Sequence, residues 1–309
     1  MKPPTVPPIK CQGIKTKLIP AIRAVVPKLI DGRWIEPFCG SCVVLFNLRP
    51  VRALISDTNK HIIKFYNDLQ SGSVTPGMVY DFLRENGDLL KLKGEDHYYE
   101  VREEFNRSGS SLAFLFLNRS CFNGVMRFNR KGGFNVPFCR KPTRFAQAYV
   151  TKIMNQLKAC VSLLKDHDWI FRTHSFQVAL AEARENDVVY VDPPYAGRHT
   201  DYYNSWSEID ERELAVLLKA SPSSFVLSTW YKNEFRTNPI VEREWLDSRY
   251  TINTKEHFYH VGPSEDLRHP MLEALITNFR SSIPDAPAKH SGNGLFDSLD
   301  EVLGEGSTI

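Results

Sequence analysis

Short apolar runs alternate with amphipathic segments along most of this sequence, and this alternation constrains the fold more than any other feature. Residues 34–38, 53–56, 188–191 and 225–228 have the length and apolar composition of buried strands. At 15–29, apolar residues recur instead at the spacing of a helix that is buried on one face. Strands that alternate with helices predict an open, doubly wound α/β sheet.

The block 71–164 interrupts this alternation. Residues 71–97 are mixed and polar, and residues 119–142 are rich in Gly, Asn and Arg, which favours a loop over a helix. We therefore predict a discontinuous sheet domain made of residues 1–70 and 165–280. The block itself is predicted to be an inserted domain of helices and loops.

Composition excludes several classes of protein. Aromatic residues make up 12% of the chain, and Gly and Pro together are too few for a collagen-like or wholly disordered protein. No apolar run reaches the roughly 20 residues of a membrane helix, and the first ten residues lack the apolar run of a secretory signal. Six cysteines in a chain of this length do not form a disulfide scaffold. We expect a soluble, cytoplasmic protein with reduced thiols and no membrane partner.

The net charge of +3 is unevenly distributed. Residues 119–165 contain ten Lys and Arg and no acid, whereas residues 281–309 contain one base and five acids. Clustered cations favour nucleic-acid binding, because they release counterions from phosphates. A basic surface that is paired with acidic neighbours in the fold is the alternative. The tail at 281–309 is also rich in Pro, Ser and Gly, which predicts a flexible acidic segment with one short helix at 296–303.

Asp192-Pro193-Pro194-Tyr195 directly follows the apolar run 188–191 and is the strongest motif of the sequence. Ligands of open α/β sheets gather at the carboxyl ends of the strands. Two prolines make the turn rigid, so the Asp192 carboxylate and the Pro193 carbonyl become two acceptors in fixed relation. Such a pair suits an exocyclic amine, and Tyr195 offers a flat face for an aromatic ring. A Pro-rich turn without chemistry is the alternative.

A second motif, Glu36-Pro37-Phe38-Cys39-Gly40-Ser41-Cys42, lies between a predicted strand and a predicted helix. Its small residues let a ligand approach the backbone, and Asp57, at the end of the next strand, can accept hydrogen bonds from ribose hydroxyls. The pair Cys39 and Cys42 also has the spacing of a thioredoxin-like redox site or of half a zinc site. No second such pair or clustered His completes a zinc site, so small residues in a tight turn explain the pair better.

Two further motifs have the composition of binding loops. Lys10-Cys11-Gln12-Gly13-Ile14-Lys15 precedes the first helix, where it can hold a carboxylate or phosphate, although a solvated basic helix start explains it equally well. The stretches 117–129 and 133–138 interleave Phe with Arg, Asn and Gly. This composition suits rings placed between bases and guanidinium groups on phosphates or guanines.

Together, these motifs resemble the Dam-type DNA N6-adenine methyltransferases of the alpha-class order. Lys10-x-x-Gly13-x-Lys15 resembles the N-terminal S-adenosylmethionine motif of that family, and Asp192 to Tyr195 resemble its catalytic motif. The stretches 102–106, 117–119 and 134–138 resemble its DNA-reading domain. The resemblance implies a Rossmann-like S-adenosylmethionine-dependent methyltransferase sheet of seven strands, the last antiparallel, with an inserted, mainly helical and loop DNA-recognition domain.

The resemblance also implies three sets of functional residues. The catalytic residues are Asp192, Pro193, Pro194 and Tyr195. The residues that bind S-adenosylmethionine are Lys10, Cys11, Gly13, Lys15, Glu36, Phe38, Gly40, Asp57 and Asp192. The residues that contact DNA are Lys10, Arg102, Arg119, Phe122, Asn123, Val125, Arg127, Asn129, Asn135, Pro137, Arg140 and Lys141.

Three positions depart from the pattern of the family. Cys42 replaces a second glycine of the cofactor loop, and Cys11 replaces an aromatic residue that packs near the cofactor. Lys141 follows Arg140 where relatives that read GATC carry a tyrosine. A GATC recognition sequence is therefore not implied.

The predicted function is transfer of a methyl group from S-adenosylmethionine to the N6 amine of adenine in double-stranded DNA. The adenine must leave the duplex, because a stacked N6 cannot reach the cofactor. Phe122 is expected to fill the vacated stack, or else to belong to a small core under its loop. No metal is expected, and either a monomer or a homodimer remains open. The alternatives are an RNA or cytosine-N4 methyltransferase and a non-catalytic DNA-binding relative.

Overall fold

The computed structural model describes residues 3–195, 206–258 and 270–280. The predicted tail at 281–309, with its helix at 296–303, lies outside the described residues. None of the helices within them is long and apolar enough to cross a membrane.

Seven strands form one mostly parallel sheet, which confirms the predicted α/β class. The strands, in chain order, are β1 (Trp34–Glu36), β2 (Arg52–Asp57), β3 (Asp168–Thr173), β4 (Val188–Val191), β5 (Ser224–Lys232), β6 (Thr251–Phe258) and β7 (Pro270–Thr277). Their spatial order is β3-β2-β1-β4-β5-β7-β6. β7 runs antiparallel to both of its neighbours, as the resemblance implied for the last strand.

The centre of the sheet is the point at which the strand order reverses. The chain proceeds from β1 outward through β2 to β3, and then returns to place β4 on the other side of β1. Every residue of β1 and β4 is buried, as expected for central parallel strands that are covered on both faces. Ligands of such sheets bind where the strand order reverses, beyond the carboxyl ends of the strands.

Ten α-helices accompany the sheet within the described residues. They are α1 (Ile19–Val25), α2 (Val43–Leu48), α3 (Lys60–Ser71), α4 (Pro76–Lys93), α5 (Glu95–Ser108), α6 (Ser111–Ser120), α7 (Gln147–Asp166), α8 (Phe176–Ala181), α9 (Glu208–Ala220) and α10 (Pro239–Trp245). Buried residues of α1 to α7 form one apolar cluster with one face of the sheet. Buried residues of α8, α9 and α10 form a second cluster with the other face.

The block 71–164 is more helical than its sequence suggested. Residues expected to be mixed and polar form α4 and α5, because Val79, Leu83 and Leu90 bury one face of an otherwise polar helix. Gly87 permits the close packing, since a Cβ there would lie 2.7 Å from the Cβ of Phe145. The buried residues of this block belong to the same cluster as those of α3. Its division from the sheet as a separate domain stays a prediction.

Two other differences concern element ends and short elements. The first helical segment ends at Val25 rather than at residue 29, because Val26 is extended before Pro27. The edge strand β3 and the short helices α8 and α10 were not predicted. In β3 only Trp169 and Phe171 are buried, so its apolar signal is weak.

Candidate active site

The turn that follows β4 is joined to the N-terminal segment by a buried ion pair. The Nζ of Lys15 lies 2.9 Å from Oδ1 of Asp192, with only 5% of the Lys15 side chain and 19% of the Asp192 side chain exposed. Lys15 also donates to the Gly13 carbonyl at 3.2 Å. Pro193 is buried and Pro194 is half-buried, which fixes the turn against the sheet. Two motifs 180 residues apart in sequence therefore meet at one point.

The environment of Asp192 sets its protonation. Burial raises the pKa of Asp192 to about 6, while the ammonium of Lys15 opposes the rise and the charge of Glu273 adds to it. Above that pH the carboxylate is ionised and is a hydrogen-bond acceptor only. Asp192 can then accept from an amine that enters the site.

Tyr195 is held by a residue that the sequence analysis missed. Its hydroxyl donates to Oε2 of Glu273 at 2.7 Å and accepts from Lys15 Nζ at 3.3 Å. The same ammonium lies 5.2 Å from the centre of the Tyr195 ring. Glu273 is fully buried in β7. The only signal in the sequence was one acid inside the apolar run 271–277, and no motif marked it.

The loop after β1 is tied to the end of β2 by the predicted ribose acid. Asp57 accepts from the Gly40 amide at 3.0 Å and from the Asn59 amide at 2.8 Å. Burial raises the pKa of Asp57, and these amides oppose the rise. Glu36 is buried and accepts from Nε1 of Trp34 at 2.6 Å. Burial raises the pKa of Glu36 to about 8.

Three aromatic residues lie together beside this loop. The ring of Phe38 stacks on Phe176 with centres 5.6 Å apart and meets Trp206 edge-on at 5.4 Å. Phe176 starts α8, just after β3, and the sequence analysis did not identify it or Trp206. Nε1 of Trp206 is buried, and no partner for it lies among the described residues. A purine with acceptor nitrogens fits such an apolar group with one unsatisfied donor.

Cys39 and Cys42 of this loop are buried, and Cys11 of the N-terminal segment is half-buried beside them. Burial raises the pKa of Cys11 to about 12, and it raises the pKa of Cys39 and Cys42 as well. Gly40 has a φ of +48°, and a Cβ there would approach Cys11 Sγ to 3.2 Å. Cys42 adopts the left-handed conformation, with a φ of 59°, at the start of α2. Within the described ranges, no three His, Cys, Asp or Glu side chains are placed to hold a metal ion.

Lys10 connects the N-terminal segment to the loop 121–138. Asn118 accepts from its backbone amide at 2.8 Å and donates to its carbonyl at 2.9 Å. The Lys10 side chain lies against Gly124, where a Cβ would come within 2.5 Å of Lys10 Cδ. Burial, followed by the charges of Arg144 and Arg119, lowers the pKa of Lys10 to about 8. Three cations therefore face one another next to this loop.

The structure corrects the assignment of Arg119 as a DNA contact. Arg119 is 3% exposed, because α6 is buried on nearly all sides. Its guanidinium donates to the Pro8 carbonyl at 3.0 Å and to Gln156 Oε1 at 3.2 Å. Its Cζ lies 4.9 Å from the Tyr149 ring centre, and Arg144 packs on the same ring at 4.2 Å. We therefore assign Arg119 to holding the N-terminal segment against α6 and α7.

The structure also corrects the expectation that the rings of 117–138 lie between bases. Phe128, Phe134 and Phe138 are buried. Phe134 and Phe138 pack against rings of α5, and Phe128 stacks on His61 of α3. Phe122 differs, since 55% of its side chain is exposed. It starts a short 3₁₀ turn, Phe122–Gly124, in which Asn123 has a φ of 52°. Sequence composition did not separate the one exposed ring from the buried ones.

The other predicted DNA contacts lie in this loop, directly after it, or on α5. Arg127 is half-buried and donates to Asn135 Oδ1 at 3.0 Å. Asn129 shapes its own turn by accepting from the Lys131 and Gly133 amides. Among the remaining predicted contacts, Pro137, Arg140 and Lys141 are exposed. Val125 and Arg102 are half-buried, and the guanidinium of Arg102 lies 4.5 Å from the centre of the Tyr99 ring.

Comparison with known proteins agrees with this geometry. The profile of the D12 class N6 adenine-specific DNA methyltransferase family matches residues 12–261. A DNA adenine methylase of Serratia marcescens is 32% identical over 221 residues, covering 68% of this chain and 76% of the relative. A DNA adenine methylase of Vibrio cholerae is 32% identical over 245 residues, covering 74% and 82%. Type II methyltransferase M.CviBI of Paramecium bursaria Chlorella virus NC1A is 29% identical over 227 residues, covering 72% and 81%.

Proposed function

Because this chain belongs to the D12 class of N6 adenine-specific DNA methyltransferases, we propose that the Lys15–Asp192–Tyr195 site methylates a flipped-out adenine of double-stranded DNA. Methylation of adenine in DNA, with S-adenosylmethionine as the methyl donor, follows from the family. The flipping step, the duplex substrate and the roles of the residues are proposed. The observation that carries them is the Lys15–Asp192 ion pair at the end of β4.

The described residues fit S-adenosylmethionine. Asp57 would accept from the ribose hydroxyls, and the aromatic residues Phe38, Phe176 and Trp206 would contact the purine. Lys15, next to Gly13, would pair with the carboxylate of the methionine part. The bound cofactor supplies a methyl group on a positively charged sulfur, which needs no further activation.

The turn Asp192–Tyr195 would hold the target amine. The Asp192 carboxylate and the Pro193 carbonyl accept from the two N6 hydrogens, which draws the lone pair of N6 out of the ring system. Tyr195 stacks on the purine and fixes its plane. Fixed geometry of the reacting atoms supplies much of the rate enhancement in such two-substrate reactions. When N6 gains its methyl group, it loses one proton, and the ionised Asp192 carboxylate is placed to accept it.

The loop 121–138 would hold the duplex. Lys10, Arg140 and Lys141 are proposed to contact phosphates, and Arg127 is proposed to read the target sequence. The exposed ring of Phe122 would occupy the space that the adenine leaves. A cytoplasmic location belongs to the same proposal, since DNA is the substrate.

Transfer of labelled methyl groups tests the assigned site. Asp192→Asn keeps the shape of the side chain but removes the charge that pairs with Lys15. We expect Asp192→Asn to lose methyl transfer to duplex DNA while its circular dichroism spectrum stays that of the wild type. The same assay with RNA of equal sequence addresses the RNA alternative. Wild-type rates in Asp192→Asn, or preference for RNA, would contradict the proposal.

A further inference from the structure

Glu273 is a buried acid for which the proposed chemistry has no use. It lies in β7, opposite Trp230 of β5 and Lys255 of β6, and its relative exposure is 0%. Glutamate is among the residues least often fully buried unless it is paired. Packing alone therefore gives no reason for a carboxylate at this position.

The contact of Glu273 with Tyr195 supplies the reason. The Tyr195 hydroxyl donates to Glu273 Oε2 at 2.7 Å, the usual length of an O–H···O hydrogen bond. On its other side the same hydroxyl accepts from Lys15 Nζ at 3.3 Å. The residues Lys15, Tyr195 and Glu273 come from the N-terminal segment, the turn after β4 and β7. A hydroxyl held between β7 and the N-terminal segment cannot be displaced without breaking one of these bonds.

We propose that Glu273 is the positioning residue of this methyltransferase, holding Tyr195 in the orientation that stacks on the target base. The inference rests on the proposed roles of Asp192 and Tyr195. A tyrosine side chain has two rotatable bonds. A hydroxyl anchored to β7 fixes the first, which swings the whole ring, whereas the second turns the ring about an axis that passes through the hydroxyl oxygen. The ring is then in place before the base enters, so the Tyr195 side chain loses little conformational entropy when the base binds.

Glu273 also acts on Asp192 through its charge. Its negative charge adds to the burial that raises the pKa of Asp192, against the ammonium of Lys15. The other titratable groups that face Asp192 are Cys11, Glu36 and Tyr190. The positional and the electrostatic effects of Glu273 can be separated, because a glutamine keeps the acceptor oxygen and removes the charge, whereas a methionine removes both.

Single-turnover methyl transfer on duplex DNA measures both effects. We expect Glu273→Met to slow transfer about tenfold to a hundredfold, the range that misplacement of a reacting group costs. The KM for DNA and the Kd for S-adenosylmethionine should change by less than about threefold, since orientation rather than binding is lost. Glu273→Gln should stay within about threefold of the wild-type rate at neutral pH, while the acidic limb of its pH profile moves to lower pH.

A double-mutant cycle with Tyr195→Phe isolates the hydrogen bond. Tyr195→Phe keeps the ring and removes the hydroxyl, so Glu273→Met in that background should cause little further loss. Glu256→Gln is the control, because Glu256 is an exposed acid on the adjacent strand β6. It should leave the rate and the pH profile unchanged. If Glu273→Met does not fold, the rate of Tyr195→Phe and the pH profile of Glu273→Gln decide the question.

Three results would overturn the inference. They are a wild-type rate in Glu273→Met or Tyr195→Phe, losses that multiply in the double variant, and an unmoved acidic limb in Glu273→Gln. The activity of Asp192→Asn separates failure of this inference from failure of the proposed function. An inactive Asp192→Asn together with wild-type behaviour of the Glu273 variants removes only the role of Glu273.

Discussion

Asp57 accepts hydrogen bonds from two loops, and this position makes it the most direct test of cofactor binding. Loss of a hydrogen bond to a charged group costs about 1.5–3 kcal/mol, or about tenfold to a hundredfold in affinity. We expect Asp57→Ala to raise the Kd for S-adenosylmethionine by that factor in titration calorimetry. Asp31→Ala is the matched control, since Asp31 is an exposed acid that precedes β1, at the opposite end of the sheet. An unchanged Kd in Asp57→Ala would remove Asp57 from the site.

Glu36 gives a prediction on stability and pH. Burial raises its pKa in the folded protein from 4.5 to about 8, so unfolding releases a proton between these values. The contribution of Glu36 is complete below the lower value and is lost as the pH rises through the upper one. Glu36→Gln keeps an oxygen for Trp34 Nε1 and cannot ionise. The Tm of the variant relative to the wild type should therefore rise between about pH 5 and about pH 8. Parallel Tm curves would show that Glu36 titrates normally.

At the scale of elements, sequence patterns predicted the central strands and the turn after β4 because both are local signals. Four apolar residues followed by Asp192 mark the end of a buried strand, where ligands of such sheets bind. Sequence patterns failed for residues whose burial and contacts are set by partners far away in the sequence. Arg119 is buried because Pro8 and Gln156 accept its donors, and Glu273 reaches the site because it accepts from Tyr195, 78 positions away. No local pattern contains such partners.

The turn Phe122–Gly124 is the element expected to assist base flipping. Its backbone is anchored by the Phe122 amide, which donates to the Pro137 carbonyl at 2.9 Å, so the fold does not need the ring. Flipping costs a few kcal/mol of unstacking. A stacked ring returns about 1–3 kcal/mol. Phe122→Ala should therefore lose about tenfold to a hundredfold in turnover on paired DNA, and less where the target adenine is mispaired.

Fluorescence of 2-aminopurine at the target position measures this flipping directly. We expect a smaller fluorescence gain with Phe122→Ala than with the wild type. Leu92→Ala is the control, because Leu92 is an apolar side chain of α4 that is 81% exposed. Equal gains with wild type and Phe122→Ala would leave Phe122 as a surface residue without a role in flipping.

At the scale of the whole molecule, the uneven charge predicts how binding depends on salt. Each neutralised phosphate contributes about −0.9 to the slope of log affinity against log salt. We expect Lys141→Ala, an exposed change in the acid-free segment, to flatten the slope by about one and to weaken all duplexes alike. Lys28→Ala removes the same charge just before β1, at the opposite end of the sheet, and should leave the slope unchanged. Equal salt slopes in Lys141→Ala and Lys28→Ala would show that DNA does not contact Lys141.

The identity of the methylated nucleoside tests the central claim most directly. Duplex DNA incubated with the protein and S-adenosylmethionine is digested to nucleosides and analysed by mass spectrometry, with Asp192→Asn in parallel. The account predicts N6-methyladenine as the product of the wild-type protein and none from the variant. N4-methylcytosine from the wild type, or N6-methyladenine from Asp192→Asn, would contradict it.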